Sequence, residues 1–318
     1  MASYIEGYCD AQMPPPYEFR DVTAWSFPLL ADAEAVGRLI DRFLLTSPLS
    51  KSRPQLITGK EDAFALKTMV YMMTLDYGRM WSSNPPEGGW GYLSQNEFLI
   101  GFPVIVDGIL GFFSPYIFVD NPWSMICGNT VLGYPKQLAW FQVSGPDANP
   151  YPIKIDTSAF VRYSRDTPLT WQRLVDIDSP LAAALPLPEP SEVFHFGPIE
   201  KLFGDDGPLP IADELLDQLK SFQYDIVQLK QFRSAQFTNE ACYQALVFCT
   251  VKDELNGGGL LPPANIRLAT YSSLNLRRDL GLGDGPLVSL FPYWMRCNMQ
   301  FSNAREIPTG APSPESLP

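Results

Sequence analysis

Short apolar runs separated by turn residues constrain the fold of this chain more than any other feature. Three of these runs follow one another, namely Glu97–Val106, Pro115–Val119 and Leu138–Val143. Asp107-Gly108 and Asp120-Asn121-Pro122 supply the turns between them. Because long helices do not alternate with the runs, a parallel doubly wound sheet is not expected. The pattern predicts a meander of β-strands.

Other segments are predicted to extend this sheet on both sides. Phe64–Leu75 is rich in apolar and β-favouring residues, and its strand is expected to end at a turn near Asp76-Tyr77-Gly78. Asn256-Gly257-Gly258-Gly259 is predicted to be a flexible loop. Further strands are predicted over Tyr224–Phe237, Tyr243–Val251 and Leu287–Phe301, the last interrupted by Pro292.

One amphipathic helix is predicted near the start of the chain. Its apolar residues recur at helical spacing after Asp32, and Pro48 ends the pattern; they are Val36, Leu39, Ile40, Phe43 and Leu44. A second, short helix is predicted over Asp213–Lys220. The first helix is expected to pack in the core and to carry no chemistry.

The chain is predicted to form a single domain over residues 1–306. No internal repeat or sharp boundary divides it. A proline-rich surface excursion is expected at about residues 178–212, and residues 307–318 are expected to form a flexible tail because they hold four prolines and little to bury.

The composition excludes several classes of partner. Of the 318 residues 46% are hydrophobic, and the formal net charge is −12. Nucleic acids and anionic membrane surfaces attract clusters of Lys and Arg, so neither is expected as a partner. The longest apolar runs are far shorter than the roughly 20 residues that span a bilayer. With no basic and apolar leader at its start, the chain is expected to be cytoplasmic.

Cysteine and histidine usage argues against a metal centre. The five cysteines are scattered without a CxxC pair and are expected to be buried, reduced thiols. His195 is the only histidine, which excludes a histidine-rich metal site, and its alternating surroundings favour a structural role. No metal ion is expected.

A single lysine stands out because it opens an apolar run. Lys136 follows the corner Gly133-Tyr134-Pro135, and in a strand it would share one face with Leu138 and Trp140. An amine attacks a carbonyl only when neutral, and an ordinary lysine is neutral in roughly one molecule in 2,500 at pH 7. Burial among apolar groups makes the neutral form more common. From these residues alone, a surface lysine behind a turn remains the alternative.

A glutamate bears on the choice between a reactive lysine and a surface lysine. Glu97 leads into Phe98–Val106, a strand so apolar that its carboxyl is either a solvated strand end or a buried proton donor. A lysine in an apolar pocket with a partnering carboxyl is the outline of a Schiff-base site.

The order and spacing of these residues resemble the acetoacetate decarboxylase family. The similarity covers about 45 residues, 97–141, without gaps, and a Pro16-Tyr17-x-Phe19 lead-in precedes it. The matching motifs are Glu97-x-x-x-Gly101-x-Pro103-Val104, Val119-Asp120-Asn121, Gly128 and Gly133-Tyr134-Pro135-Lys136.

The resemblance implies a fold and a pair of catalytic residues. The fold would be α+β and mainly antiparallel, a closed β-cone or barrel that encloses the active-site pocket and has peripheral helices. Lys136 would form an imine with a keto substrate, and Glu97 would match the active-site glutamate. Such chemistry needs no metal or organic cofactor.

The departures from the family pattern bear on the substrate. Gln137 stands where the family has a second lysine, Val22 where it has an arginine, and Asn129-Thr130 where it has an Arg-Glu pair. We therefore expect a substrate that is larger, more apolar and polyketide-like, or not a free acid. The candidate substrate-binding residues are Arg20, Gln137, Asn129, Tyr134 and Trp140.

Three hypotheses for function follow. The first is a Schiff-base lyase of small-molecule or secondary metabolism that performs decarboxylation, retro-aldol cleavage or dehydration. The second is a cyclase or isomerase on the same fold that forms no imine. The third is a non-catalytic ligand-binding protein with a degenerate site. A homo-oligomer is left open.

Overall fold

The computed structural model describes residues 12–44, 55–56, 67–106, 109–144, 149–180 and 223–308. In this part of the chain the sheet has fourteen strands. They are β1 (Tyr17–Asp32), β2 (Gln55–Leu56), β3 (Lys67–Ser82), β4 (Leu93–Val106), β5 (Ile109–Val119), β6 (Lys136–Val143), β7 (Ile153–Ala159), β8 (Thr170–Asp178), β9 (Gln223–Arg233), β10 (Ala241–Leu260), β11 (Ala264–Leu268), β12 (Leu287–Ser289), β13 (Tyr293–Phe301) and β14 (Arg305–Pro308).

Seven of the described strands form a ring. Its order is β5-β9-β10-β13-β1-β3-β4, and β4 pairs with β5 to complete it. Most of these pairs are antiparallel, which confirms the expected fold class. β2 extends the ring beside β4, and β14 pairs with β10.

A second strip of sheet leaves the ring at β6. The first residues of β6, Lys136 to Leu138, pair with β5, and the rest of β6 pairs with β7. β8, β11 and β12 follow β7 in this strip. The β5–β6 and β5–β9 pairs are parallel. The predicted simple meander is therefore wrong at β6, because a helical connection returns the chain beside the last residues of β5, Ile117 to Val119, where β6 begins and runs parallel to it.

Three α-helices are present among the described residues. α1 (Ala33–Phe43) confirms the amphipathic prediction: the Asp32 side chain caps it by accepting from the Ala35 N–H, and its buried residues face the sheet. α2 (Pro122–Cys127) continues into a π-helical turn, Gly128–Leu132, and α3 (Leu276–Asp279) is a single turn. Asp120-Asn121-Pro122, predicted to be a turn, instead begins α2, since Asn121 caps it and Pro fits a first helical position.

Two predicted interruptions of strands are wrong. β3 continues through Asp76-Tyr77-Gly78, where it passes a bulge that faces a bulge of β1 at Asp21. Arg79 pins the pair through its ion pair with Asp21 at 2.7 Å. Gly257-Gly258-Gly259 lie within β10 and pair with β13, because tertiary pairing overrides the local preference of glycine for loops.

Two separate hydrophobic clusters fill the molecule. The main core lies between α1, the outer face of the ring and the second strip, and includes Phe27, Phe102 and Phe113. The inner cluster lines the inside of the ring and includes Tyr17, Phe19, Tyr77, Tyr134 and Phe301. The site described below lies within the inner cluster.

Several expectations fall outside the described residues. These are the helix at Asp213–Lys220, His195, most of the excursion at 178–212 and the tail beyond Pro308; Ile307 and Pro308 belong to β14. Of the four cysteines that can be placed, Cys127, Cys249 and Cys297 are buried and form no disulfide, but Cys242 is exposed, contrary to expectation. No helix in the described ranges is long and apolar enough to cross a membrane.

Candidate active site

Lys136 begins β6 and turns its side chain into the ring, where that side chain is only 9% exposed. Its Nζ lies 2.8 Å from Glu97 Oε2 and donates a hydrogen bond to Ser124 Oγ at 3.0 Å. The amine also lies 5.8 Å from the centre of the Tyr134 ring. A carboxylate, a hydroxyl and an aromatic face therefore hold one amine in a fixed position.

The backbone on either side of the lysine is equally constrained. Gly133 ends the π-helical turn in a left-handed conformation, with φ of 73°, which only glycine adopts without strain. A side chain there would also meet the backbone of Lys230 at 2.6 Å. Asn129 then clamps the backbone of Lys136: its Nδ2 donates to the carbonyl at 3.0 Å and its Oδ1 accepts from the N–H at 2.8 Å.

The lysine side chain reaches the glutamate across a glycine. A Cβ at Gly128 would lie 2.6 Å from Cδ and 2.8 Å from Cε of Lys136, closer than real Cβ contacts. The absence of a side chain at Gly128 therefore creates the passage that the lysine occupies.

Two neutral donors surround the carboxylate of Glu97. Tyr77 donates to Oε1 and Gln95 Nε2 donates to Oε2, both at 3.3 Å. Burial, and then the negative charge of Glu97, raise the pKa of Tyr77 well above its ordinary value, so this phenol keeps its proton. Glu97 is buried with a side chain 7% exposed, but each of its oxygens is hydrogen-bonded.

A cavity of about 90 Å³ opens beside the pair. Its described lining is mostly aromatic, aliphatic and sulfur-containing, including Phe19, Met73, Leu99 and Phe301. Lys136 and Glu97 are the only charged residues within that described lining. The arrangement can attack a small carbonyl compound and move protons in surroundings from which water is largely excluded.

Comparisons with known proteins agree with this geometry. The family model of acetoacetate decarboxylase matches residues 1–149, which include Glu97, Ser124 and Lys136. The similarity to this family thus covers a little under half of the chain, the part that holds the candidate catalytic pair.

The solved structures show how far the fold extends. Acetoacetate decarboxylase from Legionella pneumophila subsp. pneumophila str. Philadelphia 1 is 12% identical, with a TM-score of 0.59 over 96% of this chain and 98% of that chain. An acetoacetate decarboxylase-like enzyme from Sphingomonas wittichii RW1 is 11% identical, with a TM-score of 0.53 over 97% and 99%. The enduracididine biosynthesis enzyme MppR, complexed with pyruvate, is 14% identical, with a TM-score of 0.54 over 96% and 95%. At these identities the likeness shows the fold. No curated protein sequence matches the chain.

Only one of the five predicted substrate-binding residues is among the described residues that line the cavity. That residue is Tyr134, which is 6% exposed and has the Cys249 thiol beside its hydroxyl. Asn129 holds the lysine backbone instead of facing the cavity. Gln137 points to the opposite face of β6, where it donates to Thr157 Oγ1 at 2.9 Å.

The other two residues lie on the outer surface. Arg20 pairs there with Glu18 and Glu254, since the bulge of β1 turns it outward while Phe19 and Val22 face inward. Trp140 is 65% exposed because β6 has left the ring by that point and pairs with β7.

Sequence reasoning missed Tyr77, Gln95 and Ser124, which complete the candidate site. Gln95 precedes Glu97 by two residues, and the period of a strand would have placed both on one face. Ser124 was hidden because α2 was not predicted. Tyr77 was hidden because a turn was predicted in its place.

Asp253 is a further buried acid on the inner face of the ring. It lies opposite the cavity-lining Met299 in the β10–β13 pair, and its Oδ1 has no hydrogen-bond partner in the protein. Burial raises its pKa to about 7, against the opposing effect of a hydrogen bond from Tyr224. Among the residues that the structure describes, no group of three or more His, Cys, Asp or Glu side chains is placed to hold a metal ion.

Proposed function

We propose that this protein is a Schiff-base-forming lyase that acts on a small ketone. The observation that carries the proposal is the 2.8 Å contact between Lys136 Nζ and Glu97 Oε2 beside an apolar cavity. A surface lysine that merely follows a turn would be solvated, whereas this one is enclosed and has an acid–base partner.

Each neighbour of the amine has a role in this chemistry. Glu97 accepts the ammonium proton, and the free amine attacks the ketone. Loss of water then gives an iminium, which draws electrons from the bond next to it. Glu97 gives the ammonium proton to the departing hydroxyl in that loss of water, so after the bond breaks it takes up another proton, from the leaving group or from water, and delivers it to the enamine carbon. Ser124 accepts from the ammonium and can donate to the neutral amine, so it orients both forms.

The size of the cavity supports a small substrate. At about 90 Å³ it is smaller than the engineered cavity of about 150 Å³ that binds benzene, and far below the range of about 300–1,000 Å³ for drug-sized ligands. A ketone of a few carbons fits these dimensions better than the polyketide-like molecule expected from the sequence.

The geometry also favours catalysis over a degenerate binding site. A scaffold that had lost its chemistry would have no reason to keep an amine in a passage that requires glycine at position 128. A cyclase or isomerase without an imine is the competing proposal, since Glu97 alone can act as its acid and base.

Borohydride trapping tests the proposal. Incubation of the protein with acetone and borohydride is expected to add an isopropyl group to Lys136, identified by peptide mass spectrometry. Lys136→Met should abolish both the adduct and the turnover of any productive substrate. Lys230→Met is the matched control, because Lys230 also pairs with a carboxylate, Glu306 at 2.7 Å, but does not line the cavity. Turnover that survives in Lys136→Met would instead support the imine-free enzyme.

A further inference from the structure

Two polar atoms of the described cavity lining have no hydrogen-bond partner in the protein, Tyr134 Oη and Gln95 Oε1, and Gln95 Oε1 is the one that can only accept. Gln95 lines the cavity and is 3% exposed, yet its Oε1 accepts no hydrogen bond from the protein. An unsatisfied buried carbonyl typically costs about 1–3 kcal/mol. Such an atom at the wall of a site is the expected place for a hydrogen-bond donor of the ligand.

The orientation of this amide is fixed by its neighbour. Glu97 Oε2 lies 3.3 Å from Nε2 of Gln95, and an ionised carboxylate only accepts hydrogen bonds. The NH2 group must therefore face Glu97, which leaves Oε1 as the free acceptor. Because Glu97 also contacts Lys136, the amide is two hydrogen-bonding contacts away from the reactive amine.

A free acceptor distinguishes the three reactions that a lysine imine supports. A carboxylate leaving as CO2 would be repelled by the amide oxygen and by Glu97, and the described lining offers it no cation besides the reacting lysine. Dehydration requires a donor that protonates the departing hydroxyl, and the unpartnered hydroxyl of the described lining, Tyr134 Oη, is a weak acid because burial raises its pKa well above the ordinary value. Retro-aldol cleavage requires an acceptor that orients a hydroxyl whose proton is lost, which is what Gln95 Oε1 provides.

We propose that the pocket takes an uncharged β-hydroxy ketone and cleaves it by a retro-aldol reaction, with Gln95 binding the substrate hydroxyl. This inference rests on the proposed imine at Lys136. The hydroxyl oxygen of such a substrate is three bonds from the imine carbon. Gln95 is two hydrogen-bonding contacts from the Lys136 amine, so the two separations are compatible.

The step balances without an added oxidant or reductant. Gln95 Oε1 first accepts the substrate hydroxyl and so places its oxygen; the O–H then turns to the adjoining Glu97, which takes the proton as the carbon–oxygen bond becomes an aldehyde carbonyl and the carbon–carbon bond breaks. Its electron pair forms the enamine as the iminium charge is lost. Glu97 then returns the proton to the enamine carbon, and water hydrolyses the new iminium to a ketone and the free amine.

Two probes with the same carbon skeleton test the leaving group. Acetoacetate and 4-hydroxybutan-2-one, in which CH2OH replaces the carboxylate, both yield acetone through the same enamine. The wild-type protein is expected to release acetone and formaldehyde from the hydroxy ketone at least about ten-fold faster than it releases acetone from acetoacetate, after correction for the uncatalysed reactions. Faster turnover of acetoacetate would overturn the inference, although borohydride adducts on Lys136 would still support the Schiff base.

Gln95→Met removes the acceptor and keeps the side-chain length. The ratio of hydroxy ketone turnover to acetone trapping is expected to fall about ten-fold or more, the value of one lost hydrogen bond in a buried site. Gln137→Met is the matched control, since Gln137 adjoins the lysine but faces away from the cavity, and its ratio should stay at the wild-type value. An unchanged ratio in Gln95→Met would overturn the role of Gln95. If that variant does not fold, the wild-type comparison of the two probes still decides the substrate class, whereas absence of any adduct would refute the Schiff base itself.

Discussion

The main core buries nearly twice as many hydrophobic side chains as the inner cluster, and the two differ in the kinds of side chain they hold. The main core is built from aliphatic and phenylalanine side chains with few polar atoms, such as the edge-to-face pair Phe102 and Phe113. The inner cluster has tyrosines, cysteines and methionines, and it surrounds the ion pair of Lys136 and Glu97.

Burial therefore has different consequences in the two regions. Burial of hydrocarbon stabilises the fold at about 25 cal/mol for each Å² removed from water. Burial of an ion pair costs solvation that its attraction roughly repays, so the pair adds little to stability. Substitutions in the main core should therefore change unfolding, and substitutions around the cavity should change chemistry or its pH dependence.

Phe102→Ala is expected to have the largest effect. Phe102 is fully buried, so its loss should lower the free energy of unfolding by about 3–5 kcal/mol, measured by urea denaturation. Borohydride trapping by the molecules that remain folded should be unchanged, because Phe102 does not line the cavity. A lost adduct with unaltered stability would remove the distinction between the two clusters. Phe102→Leu gives a milder form of the same change.

Asp253→Asn should reveal a pH-dependent cost within the inner cluster. The folded-state pKa of about 7 lies above the ordinary value of 3.8, so the folded protein keeps a proton that the unfolded chain releases between these values. The free energy of unfolding should thus fall as the pH rises through this window, by up to about 4 kcal/mol. The variant should lose that slope and be the more stable protein at about pH 8. If the difference in free energy of unfolding between the two proteins were the same at about pH 5 as at about pH 8, the assignment would be contradicted.

Gly128→Ala should show the smallest effect, and one confined to chemistry. The new methyl group would displace the Lys136 side chain from its passage, and a misplacement of about 1 Å can cost about a hundred-fold in rate. We expect turnover and adduct formation to fall by about 10- to 100-fold. Gly37→Ala in α1 is the control, because nothing lies within 4 Å of its added methyl, and helix propensity predicts a small gain in stability with unchanged turnover. Equal turnover in the two variants would show that the passage does not hold the lysine.

Local signals in the sequence were sufficient where a single segment determines the structure. The capping residue Asp32 and the apolar stripe behind it predicted α1, and the spacing of Glu97 and Lys136 predicted the two residues that meet in the cavity. The resemblance to a family supplied the ring, which no local pattern in the chain specifies.

The remaining errors arise where distant segments decide. The glycines of β10 are a strand only because β13 pairs with them, and β3 passes its predicted turn only because Asp21 and Arg79 support matching bulges. Trp140 does not lie in the cavity, where it was predicted, because β6 pairs with β5 as far as Leu138 and with β7 beyond it. The alternation of side chains along one strand does not predict such a change of partner.

The two halves of the chain contribute different parts of the closed ring. Glu97, Ser124 and Lys136 all lie before residue 150, whereas β9, β10 and β13, which complete the wall around them, come from residues 223–301. The first half therefore has the reactive groups, but by itself it would leave them in bulk water, where a lysine behaves as an ordinary cation. The reactivity proposed for Lys136 would therefore depend on the enclosure, which is complete only when the last strands of the ring have paired.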